Sequence, residues 1–235
     1  MRLRSRLVCL PAALALMVAS GTASACNLSL VLALDVSASI DEQEYTLQQE
    51  GLARALMDRK VVQAVEAQGG IWITVFEWSG ARHQYEQLPW TFAAGRAELA
   101  GVAGEIRAAS RRVGEFPTSL GYALGHALNL LKAAPARCAR QVIDVSGDGV
   151  NNDGFPPASA YVAHDMSLIT VNGLAITGGD PKILGYFTDT VIQGPGAFVQ
   201  PADSYDDYAE AMERKLLREL GAFSYVGVPR GPFGG

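Results

Sequence analysis

Short apolar segments alternate with amphipathic segments along almost the whole chain, and this alternation restricts the fold more than any other feature of the sequence. The apolar segments have the length of buried strands, whereas the amphipathic segments carry apolar residues at helical spacing. Such alternation is typical of a mainly parallel sheet covered by helices on both faces. The predicted strands are Leu28–Asp35, Ile71–Trp78, His83–Pro89 (a short edge strand), Gln141–Ser146, Ser167–Ile176 and Ala197–Gln200.

Helices are predicted between these strands, and no internal repeat or domain boundary interrupts the series. We therefore expect one α/β domain over residues 26–220, with a doubly wound, mainly parallel six-stranded sheet. The predicted helices are Asp41–Asp58, one within Phe92–Ser110, Ser119–Lys132, a short one ending near Asp165, and Ser204–Leu220.

The first 25 residues have the features of a secretory signal peptide. Three arginines precede the apolar segment Leu7–Val18, and the small residues Ala23-Ser24-Ala25 form a cleavage site. We therefore expect a periplasmic or secreted protein. No later segment has the length of a transmembrane helix, so none is expected. Residues 221–235 are rich in Gly and Pro and are predicted to form a flexible tail.

The chain is acidic, with a formal net charge of −5. Removal of the three arginines of the signal peptide makes the remaining chain still more negative. This balance argues against nucleic acid or anionic lipid as the main partner. Nothing in the sequence indicates the oligomeric state.

Two cysteines, Cys26 and Cys138, remain after the predicted cleavage. An even number of cysteines in an exported protein suggests a disulfide, and each cysteine lies just before a predicted strand. If those strands are parallel neighbours, the two sulfurs lie at the same edge of the sheet. The alternative is a lipid anchor on Cys26, the first residue after the cleavage site.

Three loops carry oxygen-bearing side chains at the ends of predicted elements. Asp35, Ser37 and Ser39 follow the first strand in an Asp-x-Ser-x-Ser pattern, Thr118 precedes a helix, and Asp148 follows the strand that ends at Ser146. Each residue alone is an ordinary turn or helix-cap residue. Together they form a set of hard oxygen ligands suited to Mg²⁺, with Mn²⁺ or Ca²⁺ as alternatives.

This arrangement resembles the von Willebrand factor A (vWA) domain and its metal-ion-dependent adhesion site (MIDAS). The five positions of that site are matched by Asp35, Ser37, Ser39, Thr118 and Asp148 in the same order, and the element pattern agrees from Leu28 to Leu220. The chain also resembles a proteobacterial family of exported vWA-like proteins of unknown function. That resemblance rests on the sequences around Asp35 and Asp148, on Asn151-Asn152, and on the segments 171–176 and 194–198.

The resemblance implies a binding mechanism rather than catalysis. The serines and the threonine would contact the cation, the aspartates would act largely through water, and a Glu or Asp carboxylate of a partner protein would complete the coordination. Two alternatives remain open: a metal-dependent hydrolase, and a structural envelope protein whose metal only stabilises loops. No nucleophile paired with a histidine is evident, so an enzyme is not expected.

Other polar residues near the predicted site have two interpretations each. Glu77 ends the second strand, and Asn151 and Asn152 continue the loop after Asp148, so these three are candidates for the rim of the site; each could equally serve packing or turn geometry. Asp144 lies inside a predicted central strand, where we expect a buried, paired structural carboxylate. The three histidines lie in no metal-ligand spacing.

Overall fold

The computed structural model describes residues 26–222, which form a six-stranded sheet with helices on both faces. The predicted signal peptide, residues 1–25, and residues 223–235 of the predicted tail lie outside the described residues. The elements are β1 (Leu28–Asp35), α1 (Glu42–Leu56), α2 (Arg59–Ala67), β2 (Ile71–Trp78), β3 (Gln84–Ala93), α3 (Arg96–Ala108), α4 (Leu120–Lys132), β4 (Arg140–Gly147), α5 (Pro157–Val162), β5 (Ile169–Ile176), α6 (Lys182–Tyr186, continued by a π-helical turn Phe187–Val191), β6 (Val199–Ala202) and α7 (Tyr208–Glu219).

The strand order is β3-β2-β1-β4-β5-β6, and only the edge strand β3 runs antiparallel to its neighbour. The order reverses direction at β1, so β1 lies between β2 and β4. All eight residues of β1 are buried, which explains why its sequence is apolar without alternation. The predicted doubly wound, mainly parallel α/β fold is confirmed.

The sheet separates two hydrophobic layers because successive side chains of a strand point to opposite faces. One layer contains Leu30, Leu32 and Leu34 of β1 with side chains from α1, α2, α3 and α7. The other contains Val31 and Ala33 with side chains from α4, α5 and α6. Within residues 26–222, no helix is both long and apolar enough to cross a membrane.

Several element boundaries differ from the predictions. The helix predicted over Asp41–Asp58 ends at Leu56, and Asp58 instead caps an unpredicted helix, α2, by accepting a hydrogen bond from the backbone N–H of Lys60 (2.7 Å). Strand β3 continues beyond Pro89, and α6 was not predicted. Strand β6 starts and ends two residues later than predicted, and α7 starts only at Tyr208, because turns occupy residues 203–207.

A disulfide joins Cys26 to Cys138 at the amino ends of β1 and β4. These strands are parallel neighbours, with Leu28 opposite Arg140 in the register. The two Cα atoms are 4.4 Å apart, and the Cys26 carbonyl accepts a hydrogen bond from Ala139 N (2.9 Å). The predicted disulfide is therefore confirmed, and it covalently joins two central strands.

Candidate metal centre

The carboxyl ends of β1 and β4 meet at one edge of the sheet, and the candidate site lies there. Asp35 is the last residue of β1, and Asp148 directly follows β4. Thr118 lies two residues before α4, which packs against β1 and β4. Ligand sites of open α/β sheets form at this edge, where the strand order reverses.

The five predicted residues form one hydrogen-bonded cluster. The Ser37 hydroxyl is its centre: it accepts a hydrogen bond from Thr118 Oγ1 (3.2 Å) and lies 3.3 Å from Ser39 Oγ. Ser39 Oγ donates to Asp148 Oδ1 at 2.7 Å, and Asp35 Oδ1 accepts from the backbone N–H of Ser37 at 2.8 Å. The structure thus brings all five together, and their role as metal ligands stays a prediction.

Asp35 is fully buried, and its second carboxylate oxygen, Oδ2, has no hydrogen-bond partner within the described part of the chain. Burial, and secondly the charge of Asp148, raise the pKa of Asp35 to about 8. Burial also raises the pKa of Asp148. A buried carboxyl group with an unpaired oxygen, next to the half-buried carboxyl group of Asp148, fits a cation, which would supply positive charge and the missing partner.

The chemistry of the cluster favours a hard cation. Among residues 26–222, no group of three or more His, Cys, Asp or Glu side chains is arranged to hold a metal. The candidate set consists of three hydroxyls and two carboxylates, so all of its ligand atoms are oxygens. Oxygen-only sets suit Mg²⁺, Mn²⁺ or Ca²⁺ better than softer metals.

Two glycines that the sequence prediction did not identify leave room for the cluster. A Cβ at Gly147 would lie 2.8 Å from Asp35 Oδ2, and a Cβ at Gly149 would lie 3.2 Å from Thr118 Oγ1. Both glycines flank Asp148 in the segment Ser-Gly-Asp-Gly. Their lack of a side chain leaves room for the carboxylate of Asp35 and the hydroxyl of Thr118.

Asn151 and Asn152, predicted as rim residues, hold the start of α4. Asn152 Oδ1 accepts from Thr118 N (2.9 Å), and Thr118 O accepts from Asn152 N (3.0 Å). Asn151 Oδ1 accepts from Gly121 N (3.1 Å), and the Ser119 hydroxyl donates to Asp153. The loop after β4 therefore positions Thr118 relative to Asp148.

Glu77, the third predicted rim residue, belongs to a different network. Its carboxylate accepts hydrogen bonds from Tyr45 OH (3.3 Å), Gln87 Nε2 (3.0 Å) and Arg112 N (3.0 Å). Among the hydrogen bonds of residues 26–222, none joins Glu77 to the five-residue cluster. Successive residues of a strand point to opposite faces, so Glu77 shares the face of Val75 rather than that of Trp78.

Arg111 holds the Asp35–Ile40 loop by hydrogen bonds to its backbone. The sequence prediction did not identify this residue. Its Nη2 donates to the carbonyl oxygens of Ile40 (2.8 Å), Val36 (3.2 Å) and Ser37 (3.3 Å). Its side chain is only 12% exposed. The loop that contains Arg111 also contains Thr118, so this one side chain ties two of the three site loops together.

Helix α1 supports the same loop from the other side. The buried Gln48 donates through Nε2 to the carbonyl of Asp35 (2.9 Å), and its Oε1 accepts from Ser146 Oγ (3.3 Å). The helix begins with a capping box in which Asp41 and Glu44 bond each other's backbone N–H groups (2.8 and 2.9 Å). Because the capping box fixes where α1 begins, it also fixes the length of the loop between β1 and α1.

The histidines lie outside the cluster, as the sequence indicated. His83 stacks on Phe116 with ring centroids 3.7 Å apart, and His126 packs edge-on against Phe76 at 4.8 Å. His164 contacts the carbonyl of Ala160 at 2.9 Å. In the described part of the chain, no hydrogen bond joins a histidine to the five residues.

Comparison with protein families and structures agrees with this fold. Residues 25–224 match the family described as "Protein of unknown function (DUF1194)". No curated protein matches the chain. A von Willebrand factor type A protein from Catenulispora acidiphila has a TM-score of 0.58 and 17% sequence identity, covering 84% of this chain and 43% of that one.

Two further solved structures share the fold. Proximal thread matrix protein 1 from the mussel byssus, described with a zinc-occupied MIDAS motif, has a TM-score of 0.59 and 16% identity, covering 84% of this chain and 48% of its own. The pilus adhesin SpaC from Lactobacillus rhamnosus GG has a TM-score of 0.61 and 14% identity, covering 85% and 31%. This chain therefore has a vWA-like fold and spans less than half the length of these three proteins.

Proposed function

We propose, from the premise that this chain belongs to the DUF1194 family and has a vWA-like fold, that it is a divalent-metal-dependent protein-binding module. The metal site would capture a Glu or Asp carboxylate of a partner protein. The observation that carries the proposal is the cluster in which three hydroxyls and two carboxyls converge while the buried Oδ2 of Asp35 has no hydrogen-bond partner within residues 26–222. That combination is costly unless a cation completes it.

In this proposal Ser37, Ser39 and Thr118 contact the cation, whereas Asp35 and Asp148 bind it directly or through water. The bound cation would supply positive charge at the surface of the site. Because most of the ligands are neutral hydroxyls, the charge is only partly cancelled and attracts an incoming carboxylate. Mg²⁺ is our first choice, and the zinc-occupied motif named for the mussel byssus protein supports a divalent cation in general.

The proposed role is binding, not catalysis. A hydrolase that activates water at a metal would need an acid or base beside the site. The ionisable groups of the cluster are Asp35 and Asp148, and both already contact its other members. The hydrolase therefore remains the alternative that an observed turnover would favour.

The proposed location is the periplasm or the outside of the cell. The disulfide between Cys26 and Cys138 supports an oxidising compartment, in agreement with the predicted signal peptide. A sulfur that forms a disulfide cannot also carry a lipid thioether, so we favour the unlipidated form.

Calorimetric titration of chelator-stripped protein with Mg²⁺ and Mn²⁺ tests the metal site. We expect binding that Thr118→Ala weakens strongly and that Thr46→Ala leaves unchanged. Thr46 is a suitable control because it is an exposed threonine of α1 whose hydroxyl bonds only the Glu42 carbonyl (2.9 Å). Equal affinity of both variants would contradict the assignment of Thr118.

Acetate tests the proposed capture of a carboxylate. In the presence of Mg²⁺, acetate should shift the backbone amide NMR signals of Ser37, Ser39 and Asp148, and acetamide, which is neutral, should not. Without Mg²⁺, acetate should leave these signals in place. Metal binding without any effect of acetate would instead favour a metal that only stabilises the loops.

A further inference from the structure

Three ionisable side chains lie together in the core, and within residues 26–222 no hydrogen bond joins them to the five residues of the candidate metal site. They are Lys215 and Glu219 of α7 and Asp144 of β4, each no more than 1% exposed. Lys215 Nζ lies 2.7 Å from Asp144 Oδ1 and 2.6 Å from Glu219 Oε1. We call these three residues the core triad.

The core triad has an unbalanced charge. With all three groups ionised, two carboxylates would share one ammonium ion, and the remaining negative charge would be buried at a high desolvation cost. Asn172 Nδ2 donates to Glu219 Oε1 at 2.8 Å, but an amide carries no charge. The protein avoids this cost if the triad holds an extra proton.

The contact between Lys215 and Asp144 has the distance of a hydrogen bond but not its angles. Although Nζ and Oδ1 are at hydrogen-bond distance, neither oxygen of Asp144 has a hydrogen-bond partner within residues 26–222, and neither has Glu219 Oε2. The amine nitrogen of Lys215 therefore lies close to the carboxyl group of Asp144, in a contact that does not meet the angles of a hydrogen bond. Close approach of two reacting groups held in one position is the main requirement for bond formation between them.

We propose that Lys215 and Asp144 are joined by an isopeptide bond, which the folded protein forms between Lys215 Nζ and Asp144 Cγ with Glu219 as the proton shuttle. The reaction needs a neutral amine and a protonated carboxyl group. Burial raises the pKa of Asp144, which favours its protonated form. Glu219 directly contacts the amine whose protons must leave.

The proposed reaction is balanced without a further reactant. The lone pair of Nζ attacks Cγ of protonated Asp144, and the N–C bond forms while Glu219 accepts a proton from the nitrogen. The hydroxyl of Asp144 then leaves, taking that proton from Glu219, and the C–O bond breaks. One amide and one water molecule result, Glu219 returns to its initial state, and no electron donor or acceptor takes part.

The environment would protect the product. The ring of Phe198 lies 5.4 Å from Lys215 Nζ, and the triad is closed to solvent, so water needed for hydrolysis is excluded. The bond would replace a buried ion pair by a neutral amide, which removes two charges from the core. It would also join β4, a central strand, covalently to the C-terminal helix α7.

The mass of the full chain, measured after reduction of the disulfide, tests the proposal. We expect a mass lower than that of the sequence by one water molecule. Tryptic digestion should release a branched product that joins peptide 141–182, which contains Asp144, to peptide 215–218, which begins with Lys215. Separate, unmodified peptides in the folded wild-type protein would overturn the proposal.

Substitutions test whether the loss of one water molecule in mass comes from a bond between these residues. Lys215→Met and Glu219→Gln should each restore the full mass, whereas Asp144→Asn should lose one ammonia, since the same attack on a carboxamide releases ammonia. The control is Lys60→Met, which changes an exposed lysine and should keep the deficit. A deficit that survives in Lys215→Met would also overturn the proposal. If a variant does not fold, the peptide map of the wild type still decides.

Discussion

Asp35 is the residue at which the demands of folding and of metal binding conflict most. It is fully buried at the end of β1, one of its oxygens has no partner, and its pKa is raised to about 8. The protein without metal therefore holds Asp35 protonated over most of the neutral range. The proposed metal binding would displace that proton, so the same carboxyl group would link metal affinity and stability to pH.

Metal-free protein should become less stable as pH rises from about 4 to about 8. The folded-state pKa of Asp35 is raised above that of an unfolded aspartate, so the stability is fully present below the unfolded pKa and is lost as pH rises through the folded pKa of about 8. Each unit of pKa difference corresponds to about 1.4 kcal/mol. Urea unfolding in the presence of chelator, at a series of pH values, measures this loss.

Asp35→Asn provides the control for this prediction because an amide does not titrate. Its stability should depend less on pH over the same range, whereas contributions from other groups, such as Asp144, remain in both proteins. The same slope in the wild type and in Asp35→Asn would show that Asp35 does not titrate in this range.

Arg111 should determine how well the loop holds the metal, although it is not a predicted ligand. Arg111→Ala removes three hydrogen bonds to the carbonyls of Val36, Ser37 and Ile40, so the loop loses its fixed shape. We expect a loss of Mg²⁺ affinity of about 10- to 100-fold, as is usual for residues that orient ligands. Calorimetric titration measures it.

Arg112→Ala is the matched control, because the guanidinium of Arg112 lies over the ring of Tyr85 (5.7 Å) rather than on the loop. Its Mg²⁺ affinity should equal that of the wild type. If Arg111→Ala binds Mg²⁺ as tightly as Arg112→Ala does, Arg111 has no positioning role.

At the level of elements, the start of α4 depends on the loop that follows β4. Asn152 bonds the backbone of Thr118 in both directions, through Thr118 N (2.9 Å) and Thr118 O (3.0 Å). Helix α4 and strand β4 are thereby held in a defined relation at the candidate metal site. The loop therefore connects two elements, and its place at the rim of a metal site stays a prediction.

Asn152→Ala should lower Mg²⁺ affinity while leaving the fold intact. The variant loses the side-chain half of the connection, so Thr118 is held less firmly, and the N–H of Thr118 loses its acceptor at a cost of about 1–3 kcal/mol. Titration with Mg²⁺ and thermal unfolding measure the two effects. Asn129→Ala, on the exposed face of α4, should change neither, and a similar effect of both substitutions would argue against the connection.

The sequence predicted those elements whose type and bounds follow from residues that are adjacent in the chain. The bounds of β1 and β2 were predicted correctly because both strands are apolar almost throughout and each is followed shortly by a turn. Strand β3 was predicted too short because Pro89 is usually a strand breaker, yet an edge strand tolerates it where the pairing is irregular. Helix α2 was missed because Asp58 is both the end of one helical pattern and the cap of the next.

The candidate site was predictable only in part, because some of its residues act through contacts between distant parts of the chain. The five oxygen-bearing residues lie in recognisable motifs, and the structure brings them together. Arg111, Gln48 and Gly147 act through backbone carbonyls or through the space that they leave, and these contacts exist only in the folded chain. No spacing in the sequence indicates them.

For the whole molecule, the disulfide is the clearest determinant of stability. Cys26 and Cys138 are separated by 112 residues, so the bond closes a long loop of the unfolded chain. The variant with both Cys26→Ser and Cys138→Ser should have a free energy of unfolding lower by about 2–5 kcal/mol. Denaturant unfolding measures this difference.

Mg²⁺ affinity of the double variant provides the internal control. The disulfide lies at the amino ends of β1 and β4, and the candidate site lies at their carboxyl ends. Loss of the bond should therefore reduce stability without reducing affinity. A parallel fall in both quantities would show that the two ends of the strands are not independent.

The opposite positions of the disulfide and the metal site on β1 and β4 have a mechanical consequence. If a partner pulls on the metal site, tension enters at Asp35 and passes along the eight residues of β1, about 25 Å, to the covalent bond at the other end. The hydrogen bonds between β1 and its neighbours are then loaded in shear, so many must break together rather than one after another. Under this geometry the disulfide would keep β1 and β4 together at the end opposite the load.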